Sequence, residues 1–326
     1  MKNNQIVSVS GCYWTGSSAV MDLLSEHKAC YLPPSEFALF SYGQFFNEIT
    51  DPIFLKRKIE KNHLTDNIFR FIEFNKSDSR FPTRRLFRFL FRFFNIYPKN
   101  LNVVREGYND LFGKAYEKKC IDFIDIINKA YQKDSLINDE FLIEVKNILD
   151  SLMFMYLNNQ TKANTVVLDQ FISPAYTSSS LNILPKTKMI FIDRDWRDQY
   201  VEVKNLFPIM MKRNSELKVK PMGEKDSDYN ISSIDFFINL RKRVENYKSL
   251  HQANHKDKIL WIKFEDLVLD TDIHAAKIFK FLNLDKSDWK PNQSFFPEKS
   301  KMNIGKWKFS GFDSDISHIE NRLNKP

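Results

Sequence analysis

Cysteine is scarce in this chain: Cys12, Cys30 and Cys120 are the only three among 326 residues. An odd number without repeated spacing suggests neither a disulfide framework nor a zinc site. Glycine and proline are also thin, at 8 and 12 copies, which excludes collagen-like and Gly/Pro-rich low-complexity chains. No apolar run approaches the roughly 18 residues of a membrane span. Met1 to Val9 holds no apolar core of the kind a secretory signal carries, so a cytoplasmic location is the expectation. The six histidines (His27, His63, His251, His255, His274, His318) are scattered and receive no role. No metal-ligand spacing occurs, so no metal is expected.

What is present fits a globular protein. Hydrophobic residues make up 43% and charged residues 28%, which excludes a wholly disordered chain. A chain of this length buries a substantial core without disulfides or metals. The formal net charge of +8 suits anionic partners: nucleotides, phosphorylated or sulfated ligands, nucleic acid or an anionic membrane surface.

Along the chain, Gln5 to Ser10 alternates like a short strand, and Ala19 to Ser25 has apolar positions at helical spacing. A second short strand is expected at Ala29 to Leu32, stopped by Pro33-Pro34. Residues 50–160 read as mainly helical. Strand signals return at Thr165–Asp169, Lys188–Asp193 and Ile259–Phe264, with a helical pattern over Ile234–His251 and a polar loop over Ser215–Ser232. Short apolar runs without clean alternation are the mark of strands buried on both faces. The fold class implied is α/β: a P-loop-like central parallel sheet flanked by helices, in one domain over 1–326 with a mainly helical insertion at about 50–160.

Two stretches carry chemistry. Gly11-Cys12-Tyr13-Trp14-Thr15-Gly16-Ser17-Ser18 has P-loop spacing, with glycines five apart and two hydroxyls after the second. Small residues let backbone N–H groups turn toward a phosphate, and a following helix N-terminus adds its dipole. The lysine that a nucleoside triphosphatase needs is replaced by Ser17. A plain strand-to-helix turn, capped by Thr15 or Ser17, is the alternative reading. The second stretch is Asp193-Arg194-Asp195-Trp196-Arg197-Asp198, at the end of a strand, the edge where open α/β sheets bind ligands. Its arginines offer planar forks to a phosphate, or else pair with the neighbouring aspartates.

With two further stretches in the right order, the chain resembles the sulfotransferases that use 3′-phosphoadenosine 5′-phosphosulfate (PAPS). Ser10–Leu24 is similar to their 5′-phosphosulfate loop, and Lys188–Val201 to their 3′-phosphate motif. Phe264-Glu265-Asp266-Leu267 is like a stretch many members carry, and Ser300–Lys308 resembles the C-terminal Gly-x-Trp-Lys loop that closes over the nucleotide. The resemblance implies a PAPS-dependent transferase that needs no metal. Gly11, Tyr13, Trp14, Thr15, Gly16, Ser17 and Ser18 would hold the phosphosulfate. Arg194, with Lys204 as a partner, would take the 3′-phosphate, and Lys301, Asn303, Gly305 and Lys306 would close over it. Two departures stand out. Trp14 occupies a place where the family usually has Lys or Arg, so Lys301 or Lys306 would have to supply that charge. Glu202 stands where the family tends to have Ser.

Sulfuryl transfer to a hydroxyl needs a base. Glu36 resembles the glutamate base of carbohydrate sulfotransferases and is preferred. Asp169, which ends a strand, is the second candidate. The preference for Glu36 implies a saccharide or glycolipid acceptor. Arg84, Arg88 and Arg92 share one face of an otherwise aromatic segment. That segment reads as a core helix with a solvated stripe, as a peripheral contact with an anionic membrane at its inner face, or as an acceptor site. Nucleic acid is not expected, because this run matches no recognition motif. The rival functions are another P-loop-fold nucleotide-dependent kinase and a non-catalytic binder of membranes or polyanions.

Overall fold

The structure is a computed structural model that describes residues 4–32, 139–158, 163–216 and 233–324, with the single positions 122 and 126. Five strands form one sheet: β1 (Gln5–Gly11), β2 (Cys30–Tyr31), β3 (Thr165–Asp169), β4 (Thr187–Asp193) and β5 (Ile259–Lys263). Their order is β2-β3-β1-β4-β5, and every pairing is parallel. The α/β class read from the sequence is what the chain adopts.

The strands are where the apolar runs put them, for a physical reason. A parallel sheet carries helices on both faces, so its strands lose the alternation of a half-exposed strand. β1 makes the point. Its sequence alternates Val with Ser, yet Ile6 through Ser10 are all buried. The buried serines satisfy one another: Ser8 Oγ and Ser10 Oγ lie 3.2 Å apart, and Ser8 Oγ accepts the Ile172 N–H at 3.0 Å. The alternation of β1 is therefore chemical and does not mark a solvent face.

Nine helices are described: α1 (Ser17–Ser25), α2 (Asp139–Asn158), α3 (Thr177–Ile183), α4 (Trp196–Glu216), α5 (Ile234–Asn254), α6 (Phe264–Leu269), α7 (Thr271–Leu282), α8 (Pro297–Lys301) and α9 (Asp313–Leu323). One face of the sheet, through Val7, Val9, Ile190 and Ile262, packs on Val20 and Leu23 of α1, Phe264 and Leu267 of α6, and Ile278 and Phe279 of α7. The opposite face takes Phe191 and Trp261, which meet His251 of α5. Beyond it, Tyr200, Phe237, Val244, Ile316 and Ile319 join α4, α5 and α9. Glu36, the arginine-aromatic segment at 84–94 and most of the expected insertion lie outside the described residues; so does 217–232 of the polar loop.

β1 lies between β3 and β4, where the chain connections diverge to the two sides of the sheet. In open α/β sheets, ligands bind outside the carboxyl ends of the strands at such a switch point. The Gly11–Ser18 loop leaves β1 there, and Arg194 leaves β4 one strand away.

Candidate functional site

The loop after β1 is a tight turn of unusual backbone. Tyr13, Trp14 and Gly16 have φ of 50°, 49° and 93°. Left-handed conformations cost a residue with a Cβ roughly 1–2 kcal/mol, so this geometry must be held from outside. The glycines have separate reasons. At Gly11 a Cβ would collide with Thr15 Oγ1 and lie 3.1 Å from the Ile192 carbonyl. At Gly16 it would lie 2.6 Å from the Phe264 ring, besides the strain of φ 93°. Gly16 is the N-cap of α1, and no side chain caps that helix. The capped-turn alternative is therefore corrected: neither Thr15 nor Ser17 occupies the first-turn N–H groups. Thr15 is buried, Ser17 half-buried and Ser18 exposed. Ser17 Oγ accepts from Gln170 Nε2 at 2.8 Å, and Gln170 follows Asp169 at the end of β3.

At the end of β4, each acidic residue of the motif has a structural partner. Asp193 accepts from Arg241 at 2.9 Å and pairs with Lys248 at 3.3 Å. Burial works to raise its pKa, but the charge and hydrogen bond of Arg241 with Lys248 hold the carboxyl below the usual range. Asp195 accepts from Arg197 Nε at 2.9 Å, and the Arg197 guanidinium lies 4.3 Å over the Trp307 ring. Asp198, 1% exposed, accepts from the backbone N–H of Gly305 at 2.7 Å and of Trp307 at 3.0 Å. It thereby fastens the C-terminal loop to α4. Glu265 accepts the Asp195 N–H at 2.9 Å, and burial pushes its own carboxyl upward.

Arg194 differs from all of these. Its side chain donates to two backbone carbonyls, that of Trp14 at 3.3 Å and that of Asn303, and its guanidinium lies 5.2 Å over the Phe264 ring. Its Nε is buried without a hydrogen-bond partner. Among the described residues it has no carboxylate ion pair. One arginine thus brings together the loop after β1, the end of β4, the start of α6 and the C-terminal loop. Phe264 and Glu265 have a role in this assembly: the ring packs under Gly16 and Arg194, and the carboxylate fixes the β4 end.

The other expected residues fall as follows. Tyr13 is exposed, with the Trp14 ring tilted beside it and Phe236 edge-on to it. Trp14 packs against the cluster around Tyr200 and Phe237. Lys204 turns to Asp315 at 3.6 Å and lies over the Tyr200 and Phe312 rings. Lys301 pairs with Glu298 at 2.7 Å on the surface. Lys306 pairs with Glu202 at 2.8 Å, so the acidic residue that departs from the family pattern meets a lysine of the C-terminal loop. Gly305, at φ 76°, gives that loop its turn. Cys12 and Cys30 are half-buried residues, and desolvation pushes both thiols up to about 12. No group of His, Cys, Asp or Glu among the described residues is placed to hold a metal.

Asp198, Gln199 and Arg241 hold this site together and were not singled out by the sequence reading. Asp198 lay inside the motif but read as a salt-bridge partner. Arg241 sits mid-helix, 48 residues from Asp193. A single sequence carries no signal for such a pair.

Fold and site define an α/β protein with a P-loop-like turn after β1 and a buried arginine bonded to it. The model of the sulfotransferase family matches residues 7–289. The chain belongs to that family of transferases. No curated protein matches it. Among solved structures it is similar to the sulfotransferase domain from the Synechococcus PCC 7002 olefin synthase, 14% identical over 100% of this chain and 97% of that one, with a TM-score of 0.42. It is also similar to the sulfotransferase domain from the curacin biosynthetic pathway, at 11% identity over 99% and 98% with a TM-score of 0.44. A sulfotransferase from Alicyclobacillus acidocaldarius matches at 12% identity over 100% and 98%, with a TM-score of 0.41.

Proposed function

We propose that the chain moves a sulfuryl group from PAPS to a hydroxyl on a saccharide or glycolipid. The carrying observation is the setting of Arg194: a guanidinium bonded only to carbonyls, with a buried free Nε, where every neighbouring carboxylate has another partner. A guanidinium in that state offers bidentate, charge-assisted bonds to a phosphate. The uncapped N-terminus of α1 and the left-handed turn at Tyr13–Trp14 offer N–H donors to a second anionic group. A nucleotide with phosphate at both the 3′ and 5′ positions suits two such sites.

The reaction is an in-line displacement. The acceptor oxygen bonds to sulfur as the bond from sulfur to the 5′-phosphate oxygen breaks. The acceptor proton passes to a carboxylate, and the bisphosphate leaves. Glu36 is the preferred base on family resemblance. Asp169 is the alternative, one residue from the glutamine that holds Ser17. Catalysis rests on positioning and on charge stabilisation of the departing phosphate. Lys306 is the loop cation assigned to that charge, once it exchanges Glu202 for the ligand.

Turnover of PAPS with a panel of saccharides and glycolipids tests the reading. The expected result is bisphosphate release that depends on a hydroxyl acceptor. Release that never depends on an acceptor contradicts it. The base is then found by substitution: Glu36→Gln should lower kcat by about 10²–10⁴-fold with bisphosphate binding retained, and Asp169→Asn should not. The reverse result assigns the base to Asp169.

A further inference from the structure

Resting on the PAPS reading, we propose that Gln199 is a positioning residue for the 5′-phosphosulfate loop, oriented by Arg241 and through it by Asp193. The loop has a difficulty of its own. Two successive residues with side chains, Tyr13 and Trp14, sit in the left-handed region. The strain they carry persists only if surrounding groups over-determine the conformation.

Gln199 supplies the constraint. It lies in the first turns of α4 and is fully buried. Its Nε2 donates to two consecutive carbonyls of the loop, that of Cys12 and that of Tyr13, the latter at 2.7 Å. Drawing both carbonyls to one side turns the intervening peptide units, so that their N–H groups face away from Gln199.

The orientation of the amide is itself fixed. Gln199 Oε1 accepts from Arg241 Nη1 at 3.0 Å. A guanidinium only donates, so the oxygen must face Arg241 and the NH₂ must face the loop. The same Nη1 donates to Asp193 Oδ1 at 2.9 Å, and that oxygen also accepts the backbone N–H of Arg194 at 3.0 Å. Arg241 is 6% exposed and Asp193 likewise. A buried, fully paired chain therefore runs from the loop after β1 to the residue that carries Arg194. It sets the spacing between the two anion sites, which a single nucleotide must span.

The chain makes a prediction that mere structural support does not. Adenosine 3′-phosphate reaches only the Arg194 site, whereas 3′-phosphoadenosine 5′-phosphate needs both sites. Gln199→Glu keeps size and shape but replaces the donor with a carboxylate facing two carbonyls. Bisphosphate affinity should fall about 10–100-fold, while affinity for adenosine 3′-phosphate, read by competition, should change less than about threefold. Arg241→Lys, which keeps the charge but not the shared fork, should give the same pattern in weaker form. In turnover, both variants should raise KM for PAPS far more than KM for the acceptor. An equal loss for both nucleotides, or no loss for either, overturns the proposal. If Gln199→Glu does not fold, the Arg241→Lys pattern decides by the same criterion. Wild-type protein that binds neither nucleotide overturns the PAPS reading itself, which separates the two failures.

Discussion

Four carboxylates lie between residues 193 and 202, and none of them neutralises Arg194. Asp193 is taken by Arg241 and Lys248, Asp195 by Arg197, Asp198 by two backbone N–H groups, and Glu202 by Lys306. That division of labour leaves Arg194 without a carboxylate ion pair among the described residues, which the motif alone could not show. The place of Arg194 at the end of a strand was legible in the sequence, because it follows a buried apolar run. Gln199 and Arg241 were not, because their importance lies in whom they touch across the fold. Glu202 is the clearest case. As a sequence symbol it opposed a phosphate; in the fold it sits on the lysine that would meet one. A prediction follows at this scale. Glu202→Gln frees Lys306, so affinity for the bisphosphate should rise a few-fold at low salt, and the gain should shrink as salt screens the pair. Titrations at two ionic strengths check this, and a loss of affinity on substitution would contradict the competing role given to Glu202.

The strands and the helix after the loop were the most legible elements. β3 and β5 begin where their apolar runs begin, and α5 starts at Ile234 as its periodicity implies. Parallel strands buried on both faces leave a strong local record. The entry to α1 was less legible, because its cap has no side chain to read. Gly16 is the N-cap by virtue of φ 93° and of the Phe264 ring, which lies 248 residues away in sequence but directly against it. Gly16→Ala should therefore cost more than a propensity change. A destabilisation of about 1–3 kcal/mol is expected from a Cβ in that backbone region, with further loss from the clash. Urea midpoints of the wild type and variant measure it. An unchanged midpoint would show that the turn has another low-energy form. The C-terminal loop depends on α4 in the same way, through Asp198, and no local pattern in Ser300–Lys308 announces that attachment.

For the whole molecule, the sheet order places the Gly11–Ser18 loop at the end of β1 and Arg194 at the end of β4, and Arg194 and Asp198 both bond the C-terminal loop. The same packing makes stability depend on pH. His251 is buried against Phe191, Trp261 and Tyr247. Burial, aided by the nearby His255, lowers its pKa from 6.5 to about 4. Between those values the unfolded chain binds a proton that the folded chain does not, so stability should fall as pH drops from about 6.5 toward 4. Asp193 and Asp195, held below the usual range, add stability that is present above the ordinary carboxylate value and lost on further acidification. Urea midpoints at pH 7 and pH 5 should differ in the wild type and differ less in His251→Phe. An identical drop in both would remove His251 as the cause. The central claim, that the two anion sites take one bisphosphorylated nucleotide, is tested most directly by calorimetric titration with 3′-phosphoadenosine 5′-phosphate beside AMP and ATP with Mg²⁺. The account predicts saturable one-to-one binding of the bisphosphate, much weaker binding of AMP, and loss of the difference in Arg194→Ala. No binding of the bisphosphate, or tighter binding of ATP with Mg²⁺, would contradict it.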